Sequence, residues 1–388
     1  SLIMMKNLLF ITSSDKSSGP NKQLVNLLIA LSNNKNLTIN LYICNLVNKK
    51  EISILNEFKK INNLEVIYDN VIKKKYPNKI NISIKTLRYL IKTNHYEIIQ
   101  TSGFIPDLYI YILKKFFKLD FKWVCFARSQ IKFEYKMRFK PLIWGKSLSY
   151  IHTFLINKCD LLICVSDSVA KQIKKGKTTI RIMYNLLTFE DERKIRLIKS
   201  KNTKKKNLER KQFYNFVYVG HFDYLKNAKQ IVELWSIKKY NNFNLKLIGR
   251  YQPTKYFKNM RNQVKLSKNI KIYDYKEQVI SEYFKSDFYI SASRTEGFPN
   301  TVIEALCCGC ICILSDIPPH REIKKLFTNY VFLFKLNSYK TLDSVIKKVI
   351  KKIPHLQRSE IMRDSIKYFS SKTLETKYLN ILQSTFKS

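Results

Sequence analysis

Residues 291–322 read SASRTEGFPNTVIEALCCGCICILSDIPPHRE. They are entered from Phe288-Tyr289-Ile290-Ser291, β-branched and aromatic as a strand buried on both faces should be. Gly297 and Pro299 interrupt regular structure. Asn300 then reads as a cap residue ahead of Val302, Ile303, Ala305 and Leu306, which give an apolar helix. Gly309 reads as the left-handed stop of that helix. Residues 310–314 form a second apolar strand, followed by a loop through Asp316, Pro318 and Pro319. Strand, loop, helix and strand are the repeating unit of a parallel α/β sheet.

The stretch carries a pair of carboxylates, Glu296 just before the helix and Glu304 within it. A helix N-terminus presents free N–H groups and about half a positive charge, so it attracts anions such as a diphosphate. A glutamate on each side would hold two hydroxyl-rich groups flanking that anion. By spacing alone, a capped surface helix with a solvated Glu304 fits equally well. With E-G-F-P-N in front and S-D-I-P behind, however, the string resembles the donor-binding motif of glycosyltransferase family 4. Those are retaining enzymes of the GT-B fold that use nucleotide sugars. The resemblance is strong in the second half of the chain and weaker in the first.

At 388 residues the chain is long enough for two domains. Hydrophobic residues make up 45% and aromatics 13%, a globular rather than a disordered composition. No apolar run reaches the roughly 18 residues needed to span a bilayer. Residues 8–11 are too short for a signal-peptide core, and the expected start is Met4 or Met5. The eight cysteines lie mostly in apolar, strand-like contexts. The cluster Cys307, Cys308, Cys310 and Cys312 has no paired C-x-x-C set elsewhere, so buried thiols are expected rather than a metal site. The net charge is +42. Residues 1–200 hold 35 basic and 14 acidic side chains, and residues 201–388 hold 36 and 15, so each half is +21. Such a charge suits nucleic acid or anionic lipid. Its even spread argues against a dedicated nucleic-acid arm and is also what coding bias would give.

The first half alternates strands and helices. Strands are expected at residues 7–12, 39–47, 64–68, 98–101, 123–127, 161–165 and 180–183, and Gly19-Pro20 opens a helix to about Leu31. The dinucleotide fingerprint G-x-G-x-x-G is absent, so no nicotinamide site is expected. Residues 193–211, RKIRLIKSKNTKKKNLERK, read as an exposed linker. The second half begins with a strand at 216–219, then Gly220-His221-Phe222-Asp223-Tyr224-Leu225-Lys226-Asn227. Later strands are expected at 245–249, 270–273 and 331–334, and the tail from 359 to 382 is helical in pattern.

The resemblance adds roles. Gly19 matches a glycine loop that approaches donor phosphates and acceptor. Arg128 stands where many members have histidine; Ser166 and Asn185 match a serine after a strand and an asparagine near the interdomain crossing. Lys226 matches a lysine that neutralises the diphosphate, whereas His221 departs from the family's arginine. Gly220 and Gly249 match glycines that end strands at the donor site. Residues 274–279 occupy the base-contacting stretch. Glu296 is expected at the sugar hydroxyls and Glu304 at the ribose, with Gly297, Phe298, Pro299, Asn300 and Thr301 helping to hold the donor.

The expected architecture is α/β of the GT-B type: two Rossmann-like domains facing a cleft, residues 4–190 for the acceptor and 213–365 for the donor. A basic linker at 191–212 joins them, and a C-terminal helix at 366–388 returns to the first domain. The implied activity is transfer of a sugar from a UDP- or GDP-sugar to a hydroxyl, with retention and without a metal or other cofactor. The implied acceptor is a polyprenyl-diphosphate-linked glycan at the cytoplasmic face of the inner membrane, as in capsule or O-antigen synthesis. No nucleic acid is expected as a partner. A sugar epimerase of the same fold and a nucleic-acid-binding protein are the rivals. Segments 73–76, 114–118 and 132–140 mix cations with aromatics and suggest contact with an anionic membrane.

Overall fold

The computed structural model describes residues 6–386 apart from 48–50, 70–77, 140, 174–175, 177, 202–211, 239, 252–253, 276–278 and 354–355. The chain divides into two compact units, residues 1–188 with 371–388, and residues 189–370. The first contains β1 (Asn7–Thr12), β2 (Thr38–Ile43), β3 (Leu64–Tyr68), β4 (Ile98–Ser102), β5 (Lys122–Ala127), β6 (Leu161–Cys164) and β7 (Thr179–Ile182). They form a parallel sheet in the order β3-β2-β1-β4-β5-β6-β7. The second contains β8 (Tyr214–Val219), β9 (Phe243–Ile248), β10 (Ile270–Tyr273), β11 (Phe288–Ser291), β12 (Ile311–Ser315) and β13 (Val331–Phe334). Their order is β10-β9-β8-β11-β12-β13, again parallel.

Both sheets are doubly wound. In such sheets a crevice opens beyond the carboxyl ends of the strands where the winding reverses. That switch lies between β1 and β4 in the first unit and between β8 and β11 in the second. The inner strands are largely buried, which explains their apolar runs, whereas the edge strands β3, β7 and β10 are mostly half-buried or exposed. Around the second switch the Phe216 and Phe288 rings stack at 4.6 Å, and Trp235 meets Phe216 edge-on at 5.1 Å.

Two expectations change at the junctions. The first part of the stretch read as a linker is the helix Phe189–Lys201, which belongs to the second unit. Its Ile195 is fully buried, and buried Glu192 accepts 3.1 Å hydrogen bonds from the Ser370 hydroxyl. The sparse apolar residues thus suffice for one packed face; residues 202–211 lie outside the described residues. The tail is two helices, Arg358–Phe369 and Leu374–Phe386, separated by the turn Ser371–Thr373. The last helix packs on the first unit, where the Tyr378 hydroxyl donates to Gln100 Oε1 at 2.8 Å and Asn34 Nδ2 donates to Glu375 Oε1 at 2.9 Å. No helix of the described residues is long and apolar enough to cross a membrane.

The carboxyl ends of β8 and β9 approach so closely that no side chain fits between them. A Cβ on Gly249 would lie 1.7 Å from the Gly220 carbonyl oxygen. The loops beyond are zipped by hydrogen bonds from Gly220 N to Ile248 O at 3.0 Å and from Phe222 N to Arg250 O at 2.9 Å. Gly249→Ala should therefore destabilise the protein by about 1–3 kcal/mol or more, read as a lowered urea midpoint at unchanged m-value.

Candidate active site

The residues that converge at the second switch point come from three loops. Lys226 follows β8, Glu296 follows β11, and His320 lies beyond β12 in the helix Pro318–Leu326. Lys226 Nζ donates to both Glu296 carboxylate oxygens at 2.6 Å. The Ser293 hydroxyl donates to Glu296 Oε1 at 2.8 Å. The pair is largely shielded, with side-chain exposures of 30% for Lys226 and 11% for Glu296. Burial alone would raise the Glu296 pKa. The charge and hydrogen bond of Lys226, helped by Ser293, outweigh it and hold the carboxyl below its usual range.

Backbone contacts fix the two loops against each other. Arg294 N donates to Leu225 O at 2.8 Å, and the Arg294 guanidinium donates to Asn227 Oδ1 at 3.1 Å while lying 4.4 Å from the Tyr224 ring centre. Asn227 has φ 52°, a left-handed conformation that asparagine tolerates, and this turns the chain from the Lys226 loop into the helix Ala228–Lys238. Asp223 closes the loop by accepting from Lys226 N at 2.8 Å.

His320 sits behind the pair, fully buried. Its Nδ1 lies 2.7 Å from the Ser315 carbonyl oxygen, which fixes the tautomer with the proton on Nδ1. Nε2 is buried without a hydrogen-bond partner. Burial pushes the imidazole down to about 4, against the pull of Glu296 and the Ser315 carbonyl, so it is neutral near pH 7. Ser315 ties this layer to the Glu296 loop, donating from its hydroxyl to Ser293 O at 2.6 Å.

The helix Asn300–Cys307 starts beside Glu296. Asn300 was expected to cap it, but it is the first helical residue; the cap position is Pro299, which makes no side-chain capping bond. The first turn also contains no acid. Pro299 therefore supplies no side-chain bond to the first N–H groups of this helix. A carboxylate, an ammonium and a helix N-terminus thus lie together at the switch point, groups whose chemistry suits anions and hydroxyls.

Family comparison agrees with that geometry. The profile described as Glycosyl transferases group 1 matches residues 199–364, and Glycosyltransferase Family 4 matches residues 48–188. The chain belongs to these glycosyltransferases. It is 31% identical over 152 residues to the capsular polysaccharide biosynthesis glycosyltransferase CapH of Staphylococcus aureus, covering 38% of this chain and 42% of that protein. It is 25% identical over 302 residues to the O-antigen biosynthesis glycosyltransferase WclY of Escherichia coli, covering 75% of this chain and 80% of that protein. The chain thus spans less than half of CapH. Among solved structures, Anabaena HepE in complex with UDP superposes with a TM-score of 0.73 at 15% identity, over 97% of this chain and 100% of that one.

The remaining motif residues of this glycosyltransferase divide between site and scaffold. Glu304 Oε2 accepts from the Tyr283 hydroxyl at 3.1 Å. Thr301 Oγ1 lies 2.8 Å from the Tyr289 hydroxyl. Phe298 is buried, with its ring 6.3 Å from that of Phe369. Gly297 is half-buried between Glu296 and that anchor. Gly220 and Gly249 have the packing reason given above. His221 is exposed after β8, and its carbonyl accepts from the buried Tyr218 hydroxyl at 2.8 Å.

In the first unit, Gly19 begins the helix Gly19–Ser32, whose cap Ser18 accepts from Asn21 N at 3.4 Å. The loop before it is braced by Asn21, which donates to Ser14 O at 2.7 Å and Lys16 O at 2.8 Å. Arg128, at the end of β5, lies 3.9 Å from the Phe126 ring centre. It lines a small cavity with Thr12, Pro20, Asn21, Gln100 and Ser102, and so shares the first switch point with the Gly19 loop. Burial pushes its pKa down to about 9, which leaves it charged at neutral pH. Ser166 is fully buried and caps its helix, accepting from Val169 N at 3.2 Å. Asn185 is half-buried beyond β7. Of the base-contacting stretch, residues 276–278 lie outside the described residues.

His320, Arg294 and Ser293 carry no role in the sequence reading. The two neighbours of Glu296 lay inside the motif, but their use is tertiary. His320 yields a test of the buried layer. Its folded pKa of about 4 lies below the ordinary 6.5, so the unfolded chain binds the extra proton between those values. Stability from the neutral ring is complete above about pH 6.5 and falls as the pH drops toward about 4. His320→Asn keeps a donor toward Ser315 O and removes that titration. Urea unfolding from about pH 7 to about pH 4.5 should show roughly 2–3 kcal/mol less acid destabilisation in the variant than in the parent.

Proposed function

We propose that this protein transfers a sugar from a nucleoside diphosphate sugar to a hydroxyl of a glycan acceptor, with retention at the anomeric carbon, in surface polysaccharide synthesis. The observation that carries the reading is the Lys226–Glu296 pair beside the N-terminus of the helix Asn300–Cys307. A donor would divide that pair between its two charged tasks. The ammonium turns to the diphosphate, and the carboxylate accepts from the sugar hydroxyls. As the anomeric C–O bond breaks, negative charge gathers on the diphosphate. Lys226 and the helix N–H groups are already placed to stabilise it, with little reorganisation at that moment. The acceptor oxygen forms the new anomeric bond and passes its hydroxyl proton to the departing diphosphate oxygen. Lys226 supplies the cation, so the reading assigns no metal or other cofactor. Glu304 is assigned to the ribose, and His221 to a supplementary phosphate contact.

The relatives named above support a capsule or O-antigen product, and HepE with UDP supports a UDP-sugar donor; GDP-sugars are the competing class. A hexosyl or N-acetylhexosaminyl group is the sugar this reading assigns. The proposed acceptor is a polyprenyl-diphosphate-linked glycan, met by a protein peripheral to the cytoplasmic face of the inner membrane.

A panel of UDP- and GDP-sugars read by thermal shift tests the donor. The true donor at 100 times its Kd should stabilise the fold by about 2.7 kcal/mol, and a panel without any effect would remove the reading. Variants then separate the two glutamates. Glu304→Ala should chiefly raise KM for the donor, by about 10- to 150-fold, because ribose contacts do not change during reaction. Glu296→Gln should chiefly lower kcat, by roughly 100-fold or more, because the sugar ring gains positive character as the diphosphate leaves. Normal turnover by Glu296→Gln would leave the pair a structural ion pair only.

A further inference from the structure

The helix Leu142–Ile156 is amphipathic in the wrong sense for a surface helix. Its inward side holds Gly145, Ser149, His152, Leu155 and Ile156. Three of these five are small or polar, and they allow close packing. A Cβ on Gly145 would lie 2.5 Å from the Tyr135 carbonyl oxygen, and His152 is held by Asp107 at 2.8 Å and the Tyr135 hydroxyl at 2.9 Å. The outward side holds the large apolar residues. Ile143 is 68% exposed, Trp144 67% and Tyr150 76%, with Ile151 and Phe154 also exposed beside them. At 100° per residue these five fall within one face of about 120°. An exposed face this apolar calls for a cover, and the protein covers only the opposite side of this helix.

The surroundings identify the missing cover. Segment 131–158 contains six basic residues, Lys132, Lys136, Arg138, Lys140, Lys146 and Lys158, against one acid, Glu134. Lys158 Nζ lies 5.1 Å from the Phe154 ring centre. Phe154 meets the Tyr111 ring at 6.0 Å, and Lys115 Nζ donates to the Tyr111 hydroxyl at 3.1 Å. Exposed Phe116, Phe133 and Phe139 lie on neighbouring segments. Cations thus ride at the edge of an aromatic and aliphatic patch, the arrangement that suits the boundary between headgroups and acyl chains. A second copy of the chain would bring basic segment against basic segment, whereas an anionic headgroup layer complements it.

We propose that the outward face of the helix Leu142–Ile156 docks on an anionic lipid bilayer, with Ile143, Trp144, Tyr150, Ile151 and Phe154 entering the headgroup–acyl boundary. This gives an element to the peripheral placement on which it rests. It differs from the cation–aromatic segments picked out in the sequence: 73–76 lies outside the described residues, while 114–118 and 132–140 flank the helix rather than form it.

The protein carries its own probe. Of its three tryptophans, Trp123 and Trp235 are buried and Trp144 is exposed. With vesicles of phosphatidylcholine and phosphatidylglycerol, Trp144 emission should shift to the blue and be quenched by brominated acyl chains. Phosphatidylcholine alone should give a much weaker shift, and added salt should reverse part of the response. Ile143→Ser with Tyr150→Ser keeps the probe and should weaken vesicle partitioning roughly tenfold or more, with the thermal midpoint and nucleotide-sugar stabilisation unchanged. Absence of a shift with anionic vesicles, or equal binding to both vesicle types, overturns the proposal. So does a blue shift without lipid that tracks a sedimenting dimer. The vesicles contain no sugar donor, so failure of the donor reading leaves this result intact, and the reverse holds too.

Discussion

The second unit is organised by one ion pair. Lys226 and Glu296 lie on loops from different strands, and their charges are largely withdrawn from water. Removing either charge from solvent costs several kcal/mol, and the cost is met only when both are present with good geometry. The geometry is supplied by neighbours: Ser293 on the carboxylate, Arg294 joining the two loops, and Asn227 turning left-handed just after the lysine. Such an arrangement is poised rather than merely stable. A ligand carrying a diphosphate and hydroxyls would offer Lys226 another anion and Glu296 hydroxyl donors, so the pair would open with both groups still hydrogen-bonded.

The elements that position this pair were legible in the sequence because their strands are buried on both faces. Apolar runs gave β1, β11 and β13 to the residue, β-branched and aromatic residues gave the half-buried edge strands β3 and β10, and Glu296 and Lys226 followed as the loops after β11 and β8. Tertiary packing accounts for what was missed. The helix Phe189–Lys201 looked like linker because one buried face built around Ile195 is hidden in a charge-rich run. Asn300 looked like a cap because capping depends on backbone angles that Pro299 adopts instead. Gly249 reads as a donor-site glycine that ends its strand, but the contact that demands glycine there is tertiary, since the Gly220 carbonyl excludes any side chain. His320 had no local pattern at all; its tautomer and its unpartnered Nε2 arise from burial between β12 and the Glu296 loop.

The net charge of +42 has no single destination. Several buried or half-buried acids are matched within the second unit, as when Glu282 meets Lys246 and Asp343 meets Lys347. The remaining positive charge is spread over both halves. Charge alone therefore pointed equally to nucleic acid and to lipid. The proposed docking face favours lipid, because five large apolar side chains on one outward helical face suit a bilayer boundary better than a nucleic-acid groove.

The most direct measurement is calorimetric titration of Lys226→Gln with a nucleoside diphosphate and with its bare nucleoside, in parent and Glu296→Gln backgrounds. The phosphate contact assigned to Lys226 requires diphosphate affinity to fall about tenfold or more in both backgrounds, since a charge-assisted hydrogen bond is worth roughly 1.5–3 kcal/mol. Nucleoside affinity should stay the same. Unchanged diphosphate affinity would mean that Lys226 only neutralises Glu296, and the ion pair would then be structural rather than the centre of a glycosyl-transfer site.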